Sequence, residues 1–262
     1  MLTIDPDHLL NAYRAGLFPM AEDGVEDSYY WIDPEFRGLL PIHTLHVPRR
    51  LRKTVRQGVF EVRVDCAFGD VIRACAETSE GRNGTWINKT IINAFIELHR
   101  LGHAHSIECW QDGKLVGGLY GLSLGGIFFG ESMFSRVRDA SKVALVHLAA
   151  RLWRGGYVLL DTQFINDHLE QFGAYELPRQ EFLHLLQPAI KAKADFYCAP
   201  VWADVKTMAM RGGDYSEISG VSTTSSVADL PLLPSSGTSS TFSGSSELSL
   251  ATGFLQSITQ TS

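Results

Sequence analysis

The sequence predicts a mixed fold, α+β or α/β, in which helices alternate with roughly five or six strands. One observation is a helical apolar stripe over 143–152 that is followed by two glycines and leads into a short buried strand. Another is a strand–turn–strand pattern over 105–129. A chain of 262 residues is long enough to bury a sizeable core in one or two domains.

The first half of the chain begins with a compact helix signal. Asp5 is a predicted N-cap, Pro6 takes the first helical position, and the apolar stripe that follows ends at Gly16. Further elements follow in order: an extended segment at 37–47, a helix at 48–57, a strand at 60–64, a helix at 68–76, and a helix after Trp86 with a buried stripe through 91–98.

The second half contains the meander and the segment around which the chain is organised. Asp112-Gly113 is a strong hairpin turn between strands at 105–110 and 115–122, and 127–129 returns as a third strand. After a polar stretch at 130–132 and the helix, the apolar run 157–160 delivers Asp161 and Gln163 to its carboxyl end, where α/β folds place their sites. Short helices are expected at 169–172 and 182–186.

Composition favours an ordinary globular protein. The chain is 45% apolar and 20% charged, and no apolar run approaches the roughly 20 residues that span a bilayer. The start lacks the pattern of a signal peptide, and the cysteines show no C-x-x-C spacing, so we expect a reduced, cytoplasmic protein. From 214 to 262, serine and threonine dominate without apolar period, which predicts a disordered tail.

One segment concentrates positive charge although the net charge is −6. The stretch 48–56 holds five basic residues and no acid: Arg49, Arg50, Arg52, Lys53 and Arg56. Such a block is either a solvated helix face or a surface that contacts phosphates. If the segment is helical, its spacing predicts that Arg49, Arg52, Lys53 and Arg56 share one face, while Leu51 and Val55 point toward the core.

Asp161 and Gln163 also have two interpretations on the residues alone: the cap of a buried strand, or a polar site at its end. His103, His105 and His168 lack the spacing with acids that metal sites show, so we interpret them as structural histidines and expect no metal.

Several long motifs, in the right order, resemble those of leucyl/phenylalanyl-tRNA–protein transferases over about residues 8–185. They are Gly130-Glu131-Ser132-Met133-Phe134-Ser135, Ala140-Ser141-Lys142, Asp161-Thr162-Gln163, Asn166-Asp167-His168 and Phe172-Gly173-Ala174, supported by Phe18-Pro19, Trp31, Gly84-Thr85-Trp86, 102–108, Gly117-Gly118 and Tyr120-Gly121.

The resemblance implies a small N-terminal domain, 1–36, joined to a domain like the GCN5-related N-acetyltransferases (GNAT-like), 37–213. The implied reaction moves Leu or Phe, and less readily Met, from aminoacyl-tRNA to the N-terminal Arg or Lys of a protein, which creates a bacterial degradation signal. An amine attacks an activated ester, so neither a cofactor nor a nucleophilic side chain is required, and positioning supplies much of the acceleration.

The resemblance also implies site residues. Asp161 and Gln163 match the family's catalytic pair, in which Gln163 receives the amine's hydrogen and Asp161 polarises it. A neutral amide is a poor proton acceptor, so we expect Gln163 to orient the amine through its carbonyl oxygen. The proton then goes to Asp161, to water or to the ribose oxygen, and the residues leave this open. Glu131 and Asn166 match positions at the aminoacyl end of the tRNA. Glu131 or Asp161 is the candidate negative subsite for the acceptor's Arg or Lys.

The implied pocket for the aminoacyl side chain is apolar, and its residues would otherwise be assigned to the core: Leu119, Met133, Leu148, Leu152 and Leu160. Trp86 matches a tryptophan that packs on the terminal adenosine, and Met20 falls where some members carry an aromatic residue.

Two other classes of function are consistent with parts of the sequence. An acetyl-CoA-dependent acetyltransferase would share the fold, but 135–141 lacks the glycines of a pyrophosphate-binding loop. A non-catalytic RNA-binding module would explain 49–56 but not Asp161 and Gln163.

Overall fold

The computed structural model describes residues 3–22, 25, 28–77 and 85–198. The predicted tail, 214–262, and the end of the predicted second domain at 213 lie outside the described residues. Gly84 of the Gly84-Thr85-Trp86 motif does so as well.

Seven helices and nine strands occupy the described part of the chain. The helices are α1 (Pro6–Arg14), α2 (Arg49–Gln57), α3 (Phe68–Ala76), α4 (Lys89–Arg100), α5 (Ala140–Arg154), α6 (Asp167–Glu170) and α7 (Arg179–Lys191). The strands are β1 (Phe18–Met20), β2 (Tyr30–Ile32), β3 (Phe36–Leu40), β4 (Glu61–Val64), β5 (Ala104–Gln111), β6 (Lys114–Leu124), β7 (Ile127–Ser135), β8 (Leu159–Gln163) and β9 (Tyr175–Pro178).

The main sheet has seven strands in the order β4-β5-β6-β7-β8-β3-β9, and β1 and β2 form a separate pair. Every pairing in the main sheet is antiparallel except that of β7 with β8, which are joined through α5. A parallel pair needs such a crossover, and the helix and the buried strand expected around Gly155 and Gly156 provide it.

Helices cover both faces of the sheet, which confirms the mixed α and β class. Helices α1, α3, α4 and α7 pack with Leu122 and Phe129 on one face. Helices α2 and α5 pack with Phe128 and Leu160 on the other. The N-terminal helix therefore belongs to the same core as the sheet, because Leu9 and Tyr13 are fully buried in the first cluster.

Most local signals for the helices are confirmed, but the short helix expected at 169–172 lies at Asp167–Glu170, and the one expected at 182–186 is the longer helix Arg179–Lys191. Asp5 caps α1 by accepting a hydrogen bond from the His8 backbone N–H, and Pro6 is its first residue. α3 occupies 68–76 as predicted, and α2 begins one residue after the predicted start. Gly58 ends α2 in the left-handed conformation that glycine adopts without strain.

The strands differ from the prediction in number and length. β7 continues through the polar stretch at 130–132 to Ser135, because its backbone pairs with β6 over the whole length. β8 contains Asp161 and Gln163 instead of ending before them, because β3 pairs with both residues. β9, β1 and β2 were not predicted, since strands of three or four residues carry too little alternation to be recognised.

Candidate active site

The two parallel strands at the centre of the sheet separate, and the candidate site lies where they do. β7 and β8 pair only from Ile127 with Leu159 to Phe129 with Asp161. Beyond this point β7 pairs with β6 alone, while the end of β8 pairs with β3. A cavity lies there, lined by residues 130–133 on one side and 162–164 on the other.

The cavity measures about 80 Å³, well above the roughly 10–15 Å³ that one water molecule needs. Its walls are mainly apolar, with polar groups from the ends of β7 and β8 and from α6. They comprise Phe18, Met20, Trp86, Leu119, Tyr120, Gly130, Glu131, Ser132, Met133, Leu145, Leu148, Leu160, Thr162, Gln163, Phe164, Asn166, His168 and Leu169.

Gln163 occupies an unusual backbone turn at the cavity wall. Its φ is +58°, and the N–H of Phe164 donates to the carbonyl of Thr162 at 2.7 Å, so Gln163 is the central residue of a γ-turn with positive φ. Such turns are rare and strained, and strain of this kind concentrates at functional sites. The Gln163 side-chain nitrogen is buried and has no hydrogen-bond partner among the described residues.

The carboxylate of Asp161 supports this turn through a hydrogen bond. Its Oδ1 accepts a hydrogen bond of 2.7 Å from the backbone N–H of Gln163. The carboxylate is fully buried and forms an ion pair with Arg37, whose Nη2 lies 2.6 Å from Oδ2. Asp161 is therefore not part of the cavity wall but supports the residue that is.

Among the described residues that line the cavity, Glu131 is the one with a carboxyl group. It is 8% exposed, and the Tyr13 hydroxyl donates to its Oε1 at 2.8 Å. Burial raises the pKa of Glu131 to about 8; the hydrogen bond from Tyr13 opposes the rise, Asp161 adds to it and Arg37 opposes it. The carboxyl is consequently protonated for the most part at neutral pH.

Two further polar atoms at the cavity are buried and lack a hydrogen-bond partner within the described chain. They are the hydroxyl of Tyr120 and Nε2 of His168. Burial, and then the nearby Lys142, lowers the pKa of His168 to about 4, so the imidazole is neutral. Buried polar groups are normally satisfied, and these atoms are therefore available to a ligand that enters the cavity.

The structure brings most of the predicted site residues together. Met20, Trp86, Leu119, Glu131, Met133, Leu148, Leu160, Gln163 and Asn166 all line the cavity. A backbone hydrogen bond of 3.0 Å from Ala21 to Trp86 holds Met20 and Trp86 at the same wall. Asn166 uses its Oδ1 to cap α6 by accepting from Leu169, which leaves its amide nitrogen for a ligand. Leu152 is fully buried in the core on the α5 side and does not line the cavity.

Sequence reasoning missed Arg37 and Tyr13, which contact Asp161 and Glu131 from the N-terminal part of the chain. A signal for Arg37 was present: it is a lone charge in the apolar strand Phe36–Leu40, and a buried charge requires a partner. Tyr13 gave no signal, because its apolar helical spacing is that of any core tyrosine.

The basic segment is a helix, α2, with the predicted division of its faces. Leu51 and Val55 are buried against the core, and Arg49, Arg50, Lys53 and Arg56 are exposed. Arg52, which is predicted to share the exposed face, is half-buried instead. No acid lies in the first turn, so Arg49 and Arg50 stand at the positive end of the helix dipole, an arrangement that costs a few tenths of a kcal/mol.

Within the described ranges, no helix is both long and apolar enough to cross a membrane. The histidine, cysteine and acidic side chains of the same residues form no group of three or more that could hold a metal ion.

An apolar cavity with a few polar groups, set where two parallel strands separate, is typical of an enzyme that binds a substrate with an apolar group. Residues 39–187 match the family model described as Leucyl/phenylalanyl-tRNA protein transferase, and residues 3–35 match the model of its N-terminal domain. The chain belongs to the leucyl/phenylalanyl-tRNA protein transferase family, and it is an aminoacyltransferase. The resemblance found in the motifs is thereby confirmed.

Relatives named Leucyl/phenylalanyl-tRNA--protein transferase match most of the chain. The one from Phenylobacterium zucineum (strain HLK1) is 58% identical, over 75% of this chain and 89% of its own length. Those from Nitrobacter winogradskyi (strain ATCC 25391 / DSM 10237 / CIP 104748 / NCIMB 11846 / Nb-255) and Paramagnetospirillum magneticum (strain ATCC 700264 / AMB-1) are 54% and 56% identical, over 76% and 75% of this chain and 88% and 94% of their own.

A solved structure, described as the crystal structure of FemX, is similar over 69% of this chain and 71% of its own, at 12% identity and a TM-score of 0.47. A TM-score of 0.47 is too low to assign a fold by comparison. The predicted similarity to the GCN5-related N-acetyltransferases therefore stays a prediction, as do the domain boundaries at 36 and 37.

Proposed function

We propose that this enzyme transfers Leu or Phe, and less readily Met, from aminoacyl-tRNA to the N-terminal Arg or Lys of acceptor proteins. The observation that carries the proposal is the apolar cavity lined by Gln163, whose buried side-chain nitrogen has no hydrogen-bond partner among the described residues. The products would carry a bacterial N-terminal degradation signal, and the reaction would take place in the cytoplasm. The names of the relatives support the donor; the acceptors and the degradation signal rest on the resemblance.

The proposed chemistry is aminolysis of an ester. The acceptor's neutral α-amine attacks the aminoacyl carbonyl carbon, a C–N bond forms, and the bond to the ribose oxygen of the tRNA breaks. In the balanced reaction one amine proton ends on that ribose oxygen. Because the ester is already activated, holding amine and carbonyl in the attack geometry supplies much of the acceleration, worth about 7–11 kcal/mol in well-oriented pairs.

The apolar walls are suited to the donor's side chain. Leu119, Leu148 and Leu160 are almost fully buried and border the cavity, and Met133 lies beside them. Methionine adapts to different shapes, which suits a pocket that takes both a branched aliphatic and an aromatic side chain. The buried Leu152 would act behind the pocket by supporting these residues.

Gln163 is the proposed group that orients the attacking amine. Its amide lies at the end of β8, and the γ-turn fixes the direction in which the side chain leaves the backbone. The carbonyl oxygen of the amide accepts a hydrogen bond from the amine. The amide nitrogen has no hydrogen-bond partner among the described residues and can donate to the substrate. Asp161 is proposed to assist this step.

Glu131 is the proposed negative subsite for the acceptor's basic side chain, or for the amino group of the donor. At neutral pH it is mostly protonated, because its pKa is about 8, and an incoming guanidinium or ammonium group would favour its ionised form. An acceptor without a cation meets a neutral carboxyl instead, which supports selection of basic N-termini.

The tRNA is proposed to lie along α2, with its charged end in the cavity. Trp86 would stack on the terminal adenosine, and Met20 and Asn166 flank it at the wall. The exposed arginines and Lys53 of α2 offer phosphate contacts, which carry no base sequence and therefore suit tRNAs of different sequence. Arg49 and Arg50 lie at the positive end of the helix dipole, where positive charge is unfavourable. Locally unfavourable residues of this kind are often found at functional surfaces.

The proposal is tested with radiolabelled Phe-tRNA and a peptide that begins with Arg. Label should appear on this peptide, and matched peptides that begin with acetylated Arg or with Asp should receive at least about tenfold less. Acetyl-CoA in place of Phe-tRNA serves as control for an acetyltransferase. Binding of the tRNA without any transfer would instead favour a non-catalytic RNA-binding module and contradict the proposal.

A further inference from the structure

We infer that Arg37 is a positioning residue for the transfer reaction, and that Asp161 acts with it as a fixed support for the Gln163 turn instead of accepting the amine proton. The inference rests on the proposed function, since it concerns how the same site performs its chemistry.

The guanidinium of Arg37 is held on several sides. Its Nε donates to both oxygens of Asp161, at 3.0 and 2.9 Å, and its Nη2 donates to Oδ2 at 2.6 Å. Its Nη1 donates to the carbonyl of Gly16 at 2.8 Å. The rings of Phe18 and Phe182 each lie 4.7 Å from the guanidinium carbon. A side chain with this many contacts has one position.

The carboxylate of Asp161 links the position of Arg37 to that of Gln163. Asp161 Oδ1 receives the Arg37 Nε–H and also the backbone N–H of Gln163. The second hydrogen bond holds Gln163 at its positive φ, a conformation that a non-glycine residue does not keep without support. Arg37 thus sets the direction of the Gln163 side chain although it is not among the residues that line the cavity.

The same contacts leave Asp161 without a free acceptor for the amine proton. Both of its oxygens are engaged by Arg37, one of them also by Gln163, and the side chain is fully buried. To take a proton it would have to break these contacts and leave the Arg37 charge buried without a partner, which is strongly destabilising. The amine proton therefore passes to the leaving ribose oxygen, directly or through water, and the reaction stays balanced without a carboxylate base.

The contact with Gly16 extends this support to the N-terminal part of the chain. Gly16 follows α1, and α1 also carries Tyr13, the partner of Glu131. The N-terminal segment consequently bears on both carboxyl groups near the cavity: Tyr13 contacts Glu131 directly, and Gly16 contacts Arg37, which is the partner of Asp161. This explains why a segment distant in sequence from Gln163 bears on its geometry.

The first experiment uses Arg37→Lys, which keeps the positive charge but not the fork of N–H donors that binds a carboxylate at two points. With Phe-tRNA and an Arg-initiated peptide, well below Tm, we expect kcat to fall at least about tenfold while KM for both substrates changes less than about twofold. The control for lost stability is Leu98→Ala in α4, a buried residue outside the described cavity wall; its Tm should fall and its kcat should not.

The second experiment separates support from proton transfer. Asp161→Asn alone leaves the Arg37 charge unbalanced, and we expect kcat to fall at least about a hundredfold. Adding Arg37→Met removes that charge, while the side-chain amide oxygen introduced by Asp161→Asn still accepts from the Gln163 N–H. The double variant should recover at least about tenfold over Asp161→Asn, because a buried ion pair can be replaced when both partners change together.

The outcomes are distinct. A folded double variant no more active than Asp161→Asn would show that the carboxylate itself is needed and would overturn the inference. If the double variant does not fold, Arg37→Lys decides: a parental kcat overturns the inference, and so does a loss confined to KM. Failure of the parent enzyme to label the peptide would contradict the proposed function instead, before any variant is compared.

Discussion

At the scale of single residues, the site depends on the glycine at position 38, which lies against the Gln163 turn and leaves no room for a side chain. Gly38 of β3 pairs with Gln163, and a Cβ at Gly38 would lie 2.8 Å from the carbonyl carbon of Phe164. The obstacle is backbone rather than a flexible side chain, so the γ-turn itself would have to move. The glycine is required by the close approach of the turn.

We therefore expect Gly38→Ala to reduce kcat at least about tenfold and to lower Tm by several degrees, because the added methyl displaces the Gln163 turn. Steady-state transfer and thermal melting measure the two effects. The matched control is Gly69→Ala in α3, where the new Cβ meets only the side chain of Arg73. Parental kcat in Gly38→Ala would mean that the position of the turn does not matter for transfer.

A second prediction at this scale concerns the raised pKa of Glu131. In the unfolded chain a glutamate titrates near pH 4.3, and in the folded protein the pKa of Glu131 is about 8. Between these values the folded state holds a proton that the unfolded state has released. Folding stability contributed by this group therefore falls as the pH rises through the window, and the full penalty applies above about pH 8.

Glu131→Gln removes this titration. We expect its free energy of unfolding to match that of the parent near pH 4.5 and to exceed it progressively up to pH 8.5. At about 1.36 kcal/mol per pKa unit, the difference reaches on the order of 5 kcal/mol. Melting curves across this range provide the measurement, with the exposed Glu181→Gln of α7 as control. A constant difference between variant and parent at every pH would contradict the raised pKa.

At the scale of elements, α2 has two faces with different roles. Leu51 and Val55 hold it to the core, and the exposed cations are separated from them by the helical period. Arg52 is half-buried, so a change there would disturb packing as well as charge. Lys53 and Arg56 are exposed and allow the charge to be tested alone.

Lys53→Glu combined with Arg56→Glu should weaken the binding of aminoacyl-tRNA at least about tenfold at low salt. The slope of log K against log salt should decrease by roughly 0.7–0.9 for each lost phosphate contact. Transfer from a minimal aminoacyl-adenosine, which has no stem, should stay close to the parental rate. Binding titrations at several salt concentrations and single-turnover assays measure these effects.

The matched control for that pair is Lys114→Glu with Lys191→Glu, an equal charge change at exposed positions on β6 and α7. It should leave the salt slope nearly unchanged. A loss of activity with the minimal donor as severe as that with full tRNA would make α2 a structural helix and would contradict the proposed course of the tRNA.

At the scale of the whole molecule, the N-terminal segment is part of the main core. Leu9 and Tyr13 are fully buried in the same cluster as Leu122 and Phe129 of the sheet, and Arg37 reaches back to Gly16. The family has a separate model for 3–35, but this division of the sequence is not accompanied by a separate N-terminal core in the described residues.

We expect a fragment that begins at residue 36 not to reach the native state, because removal of α1 and β1 exposes apolar core and takes away the contacts that Tyr13 and Gly16 make with Glu131 and Arg37. Near-UV circular dichroism and thermal melting should show no cooperative transition. Addition of a peptide comprising 1–35 should restore part of both signals. A fragment that melts cooperatively by itself would show that the segment is an independent domain.

The sequence by itself determined the class of fold, the helices and the family. These depend on local information: caps and glycines at helix ends, apolar spacing along one element, and motifs in a fixed order. The same information placed Gln163 and Trp86 among the candidates and divided α2 into two faces. Short strands such as β9 were not predicted, because their pairing depends on neighbours that are distant in sequence.

Only the tertiary structure decided how the candidate residues are arranged. It set Gln163 at the cavity and Asp161 behind it, joined Asp161 to Arg37 across 124 positions of the chain, and joined Glu131 to Tyr13 across 118. The physical reason is that burial and ion pairing depend on which distant groups share one low-dielectric region, and no local pattern records that. The charge of Glu131 and the direction of Gln163 are consequently properties of the folded core.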